Sequence, residues 1–152
     1  MCTLILHKNK DMMYTKEKPE IRFYQNLGKL FYAIAAADKV VRKVEFDALK
    51  KLVLDYWKNL EDTKDDYQES VAYQMEIVFD WFDYEQMDAA YCFNSFSDYV
   101  KGYPKAFSEE KRSLIFKTAE AIASSFSGKN KSELIMLTKL ELLFKKIKPI
   151  NA

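Results

Sequence analysis

Leu30-Phe31-Tyr32-Ala33-Ile34-Ala35-Ala36-Ala37-Asp38 is an apolar, alanine-rich run that ends in charge. Working back from it, Ile21, Phe23, Tyr24, Leu27, Leu30, Phe31, Ile34 and Ala35 recur in steps of three and four, the spacing of one buried helix face. Pro19 suits a first helical position, and Glu20 lies in the first turn, where the helix dipole favours an acid. This pattern predicts a helix over residues 19–38 whose small end residues let a neighbour pack closely.

The same spacing continues downstream. A second helix is expected over residues 43–57, with Val44, Leu49, Leu52, Val53, Tyr56 and Trp57 facing the core. Residues 59–66 are polar and acidic and read as a loop. A third helix is expected over 67–82, carrying Val71, Met75, Val78, Phe79 and Phe82, and a fourth over 87–100, stopped by Gly102 and Pro104. Ser108, Glu109 and Glu110 form a capped, acidic start for a fifth helix, with Leu114, Ile115, Ala119, Ile122 and Ala123 inward and Gly128 as its breaker. A sixth is expected over 132–147 with Leu134, Leu137, Leu140, Leu143 and Phe144 inward. Lys145, Lys146 and Lys148 suit its C-terminal pole, and Pro149 ends it. No stretch reads as a strand. The expectation is an all-α bundle of six or seven helices over residues 19–148, preceded by an N-terminal arm, residues 1–18.

Composition supports this and removes several kinds of chemistry. A chain of 152 residues fits one domain with its own core. Only 3 Gly and 3 Pro argue against a turn-rich β architecture. A single histidine, His7, excludes His-triad metal sites and His-assisted nucleophiles, and two cysteines, Cys2 and Cys92, cannot build a disulfide framework. Ser124, Ser125 and Ser127 have no partner base in recognisable reach, so no enzyme is expected. No segment is long and apolar enough for membrane insertion, and two thiols suit a reducing, cytoplasmic setting.

The net charge of +1 conceals an uneven distribution. Residues 1–60 hold 12 basic and 7 acidic side chains, residues 61–100 hold 1 and 11, and residues 101–152 hold 11 and 5. An acidic middle lies between basic flanks. The basic clusters Lys50-Lys51 and Lys145-Lys146-Lys148 are short, and nucleic-acid binding is not expected.

An internal repeat is visible at an offset of 88. Ala33-Ile34-Ala35 recurs as Ala121-Ile122-Ala123, and the same offset lays Glu45 on Glu133, Leu49 on Leu137 and Leu52 on Leu140. Each copy is a helix, a turn and a helix that opens with glutamate. Two similar helical-hairpin halves are therefore expected to share one core.

The run from Leu30 to Asp38, followed by Glu45, Ala48, Leu49 and Leu52, resembles the tellurite-resistance protein B (TerB) family, whose first hairpin turn commonly reads Ala-Asp-Gly and then Glu. The resemblance is strongest over residues 21–57 and weaker over 108–147. It implies an all-α fold in two similar halves and a non-enzymatic, stress-associated role of the tellurite-resistance type. It also implies protein partners, including membrane-associated ones, since a related helical domain occurs in membrane-associated co-chaperones of the DnaJ type. Some members have been proposed to bind metal through clustered acids, so a divalent cation such as Ca²⁺ is the one cofactor implied. The chain departs from the pattern at Lys39, where the family has glycine, and at Phe126, which takes the place of Asp38 in the second copy.

Two candidate sites follow. Asp38 and Glu45 bracket the first turn and are the candidate metal ligands, because hard cations prefer carboxylate and carbonyl oxygens. The competing reading has Asp38 bonding free N–H groups of the turn and Glu45 serving the start of the second helix. Glu76, Asp80 and Asp83, spaced by four and three, share one helix face and are the candidate partner-binding residues. Acids at Glu61, Asp62, Asp65 and Asp66 would deepen the negative potential there. The aromatic sets Phe79, Trp81, Phe82, Tyr84 and Tyr91, Phe93, Phe96, Tyr99 exceed what one core face holds.

Overall fold

The computed structural model describes residues 18–125 and 130–147. Six helices make an all-α bundle, and among the described residues the only strand-like pairing is an isolated bridge between Lys64 and Ser70. They are α1 Pro19–Ala35, α2 Lys43–Leu52, α3 Gln74–Tyr84, α4 Ala89–Gly102, α5 Glu109–Ser124 and α6 Lys131–Lys146. The expected arm, apart from Lys18, lies outside the described residues, as do Phe126, Gly128, Lys148 and Pro149.

Helix α1 is the axis of the bundle. Tyr24, Leu27, Leu30, Phe31, Ala33, Ile34 and Ala35 are fully buried, so the helix is covered on more than one side. It packs most extensively against α3 and α4 and also meets α5 and α6. At Gly28 a Cβ would lie 2.9 Å from the Met75 carbonyl oxygen and from Val78 Cβ, so α1 and α3 touch where a side chain is missing. Helix α2 lies mainly on α5 and makes little contact with α1. Helix α6, by contrast, packs mainly on its sequence neighbour α5 and less on α1.

Helix α2 does not run regularly to Trp57. It passes through a π-turn, Val53–Trp57, before a last turn, Lys58–Leu60. A π-turn widens the rotation to more than four residues, so Leu49, Val53 and Trp57 all face inward while Tyr56, expected in the core, is exposed. Trp57 is fully buried, and its Nε1–H donates to Thr118 Oγ1 at 2.9 Å. Thr118 in turn donates to the Leu114 carbonyl at 2.8 Å, so this buried polar contact is satisfied.

Other expectations also shift. The third helix starts at a 3₁₀ turn, Val71–Tyr73, rather than at residue 67. Asp65 Oδ1 accepts N–H bonds from Tyr67 and Glu69, and Gln68 adopts φ 68°, which together hold residues 65–69 in a loop. Ser70 then caps the 3₁₀ turn through Ala72 N–H. Asp88 caps α4 by accepting the Tyr91 N–H at 2.9 Å, so that helix begins two residues later than expected. Val44 and Leu134 are exposed instead of inward, because the first turns of α2 and α6 point their neighbours Glu45 and Glu133 into the core. The end of α6 is tied by Arg112, whose Nη1 donates to the Phe144 and Ile147 carbonyls and whose Nε donates to the Phe107 carbonyl.

Candidate functional site

The turn between α1 and α2 is organised by Asp38. Its Oδ1 accepts the Val40 N–H at 3.1 Å, and its Oδ2 accepts from Arg42 Nη1 at 3.1 Å and Asn130 Nδ2 at 2.7 Å. Asp38 thus links the start of α2 to the start of α6, 92 positions away. Lys39, beside it, adopts φ 70°, a left-handed conformation that glycine takes without steric cost. This is the position at which the resembled family carries glycine.

Arg42 and Asn130, the residues preceding α2 and α6, are 88 positions apart, the offset of the repeat. Asn130 makes a complete capping box: its Oδ1 accepts the Glu133 N–H at 2.8 Å, and Glu133 Oε1 accepts the Asn130 N–H at 3.1 Å. At Arg42 only the return bond exists. Glu45 Oε1 accepts the Arg42 N–H at 2.7 Å, but a guanidinium has no acceptor for the helix N–H groups.

Glu45 and Glu133 are buried, at 0% and 2% exposure, and their carboxyls are neighbours. Burial lifts the Glu45 carboxyl and Glu133 lifts it further, against the backbone bond from Arg42 and its guanidinium, so Glu45 titrates at about 7. Among the described residues Glu45 Oε2 has no hydrogen-bond donor, and Arg42 Nη1 lies 3.7 Å from it. Among the described residues no group of three His, Cys, Asp or Glu side chains is arranged to hold a metal ion. Asn130, Arg42 and the nearness of Glu133 to Glu45 were not expected. The 88-residue register, which pairs Arg42 with Asn130, is the signal that points to them.

The second candidate, on α3, divides. Asp80 is exposed and Asp83 half-buried; burial and then the nearby Asp80 push the Asp83 carboxyl up. Glu76 is half-buried on the side of Lys50; burial raises it and Lys50 pulls it back. Among the described residues none of the three forms an ion pair. Ile77 and Tyr84 are exposed on the same helix at 57% and 85%, and Tyr91 is exposed at the start of α4, whereas Phe79, Phe82, Phe93 and Phe96 are buried. The loop acids are partly committed: Asp65 holds its own turn, and Glu61 accepts from Tyr24 OH and Thr63 N–H.

A cavity of about 450 Å³ lies between the start of α1 and the end of α4, lined by Phe23, Tyr99, Tyr103 and Pro104, with Glu20 and Glu61 at its wall. Burial favours the protonated form of Glu61, but Thr63, Tyr24 and Lys111 outweigh it and hold the carboxyl below its ordinary range. A carboxylate so stabilised is a poor proton donor. No helix among the described residues is long and apolar enough to cross a membrane. No family model matches the chain, and no curated protein or solved structure matches it.

Proposed function

We propose that the protein is a non-enzymatic interaction module of the TerB-like, stress-associated type, which binds a protein partner through the acidic face of α3. The observation that carries this reading is the outward face itself, where Asp80 and Asp83 lack an ion partner among the described residues and stand beside exposed Ile77 and Tyr84. Uncompensated like charges at this spacing repel by a few tenths of a kcal/mol per pair, and a basic partner surface would relieve them. Exposed tyrosine beside acids is a surface suited to recognition, since Tyr is enriched at binding hot spots. Glu76, nearer Lys50, contributes at the rim. The partner is a basic protein surface, in solution or on a membrane.

Lys39 supports the family part of the reading, because it holds the backbone conformation for which the family uses glycine. The alternative is a divalent-cation regulator with Asp38 and Glu45 as ligands. What favours it is the buried Glu45 Oε2, which no donor among the described residues bonds; what weighs against it is Arg42, already placed between the two carboxylates.

The test is the triple substitution Glu76→Gln, Asp80→Asn and Asp83→Asn. It is expected to weaken partner capture and to flatten its dependence on salt, with little change in melting temperature. Unchanged capture at every salt concentration would remove the acidic face from the proposal.

A further inference from the structure

The Arg42 guanidinium stands among the oxygens a hard cation would gather. Its Nη1 lies 3.1 Å from Asp38 Oδ2, 3.5 Å from the Val40 carbonyl oxygen and 3.7 Å from Glu45 Oε2. Two carboxylates and a backbone carbonyl are the donor types that divalent ions such as Ca²⁺ take. Asn130 donates to the same Asp38 Oδ2, and Glu133 adds a second buried carboxyl beside Glu45. Glu45 is fully buried, and among the described residues no donor bonds its Oε2. Carboxyls so placed need positive charge or a proton, since buried charges persist only when paired. The Glu45–Glu133 pair can share a proton, and Arg42 supplies the cation facing Asp38 and Glu45.

We infer that the Arg42 guanidinium is the resident cation of this joint, taking the place of a divalent ion among Asp38, Val40 and Glu45, so that the turn as built takes no metal. The implied Ca²⁺ does not fit these residues while Arg42 is present: a nitrogen carrying a positive charge already fills the space, and Lys39 adds another cation next to Asp38. The three oxygens of Asp38, Val40 and Glu45 nonetheless converge on one point, Arg42 Nη1, so the site is latent. Removing the guanidinium and leaving the acids should uncover it. This inference does not depend on the acidic face of α3.

The experiment compares the wild-type chain with Arg42→Gln and with the double variant Arg42→Gln/Glu45→Gln, using Ca²⁺ as the probe. Melting temperature and calorimetric binding are measured in EDTA and in Ca²⁺ up to about 10 mM, beyond the weak end of protein Ca²⁺ affinities at about 10⁻⁴–10⁻³ M. The wild type is expected to show neither heat of binding nor a melting shift. Arg42→Gln is expected to melt lower in EDTA and to regain stability as Ca²⁺ is added, because a ligand that binds only the folded state stabilises it with concentration. The double variant should lose at least about tenfold in Ca²⁺ affinity relative to Arg42→Gln, a difference of about 1.4 kcal/mol. Saturable Ca²⁺ binding by the wild type would overturn the inference. So would a folded Arg42→Gln that ignores Ca²⁺. If that variant is unfolded in EDTA, circular dichroism reads the same question: refolding in Ca²⁺ supports the inference, and failure to refold overturns it.

Discussion

At Asn130 the start of α6 is closed by reciprocal bonds between an amide side chain and Glu133. At Arg42, in the same register of the other half, the start of α2 has the glutamate but not the capping acceptor. The second joint spends its leading side chain on the helix, whereas the first spends it on Asp38 and the buried acid. An N-cap contributes typically about 1 kcal/mol. Leaving a buried carboxylate unpaired costs several. The first joint has given up the smaller term for the larger one. The two helix starts share a register and a buried glutamate but differ in the chemistry of their leading residue.

This contrast can be broken most forcefully at Arg42. Arg42→Ala is expected to destabilise by about 2–3 kcal/mol in chemical denaturation, because Asp38 and Glu45 lose their guanidinium. Asn130→Ala removes a cap and one bond to Asp38 and is expected to cost about 1–2 kcal/mol. Equal losses from the two substitutions would mean that Arg42 serves only as a turn residue.

The acid pair adds a dependence on pH. The folded-state value of Glu45, about 7, is above its unfolded value of 4.5, so between these values the folded chain binds more protons. That contribution is complete below about pH 4.5 and is lost as the pH rises through about 7. Glu133 and Arg42 share the site, so the loss is on the order of 1–3 kcal/mol. Glu45→Gln should flatten this part of the stability profile between about pH 5 and pH 8, measured by melting across that range. A profile identical to wild type would show that the pair does not hold a proton. The smallest effect is expected at Lys39. Lys39→Gly relieves a left-handed conformation and should raise stability by up to about 1 kcal/mol, while Lys39→Val should lower it.

The six helices were legible in the sequence because each carries a three-and-four apolar stripe long enough to outweigh local exceptions. The π-turn was not, since a 3.6-residue template has no place for an added residue, and it assigned Tyr56 to the core. Residues 67–70 read as helix because the turn there is made by an aspartate bonding N–H groups two and four residues ahead, which competes with the helix without disturbing the apolar pattern. Asp38 and Glu45 stood out as the ends of one turn. Arg42 did not, because a charged residue in a turn looks solvated until its partners are known. The meeting of Glu45 with Glu133 is a contact between distant segments, and only the offset of the repeat hinted at it.

Gly28 has a bearing on the surface as well as on the core. Helix α3 rests on the bare backbone of α1 at this point, so the depth at which α3 sits is set from beneath. Asp80 and Tyr84 ride on the opposite side of that helix. A methyl group placed at position 28 would act like a shim, raising α3 and displacing its outer face relative to α4 and Tyr91. The spacing of a charged surface is thus governed by one hydrogen atom in the interior, and that surface can be repositioned without altering any residue that belongs to it.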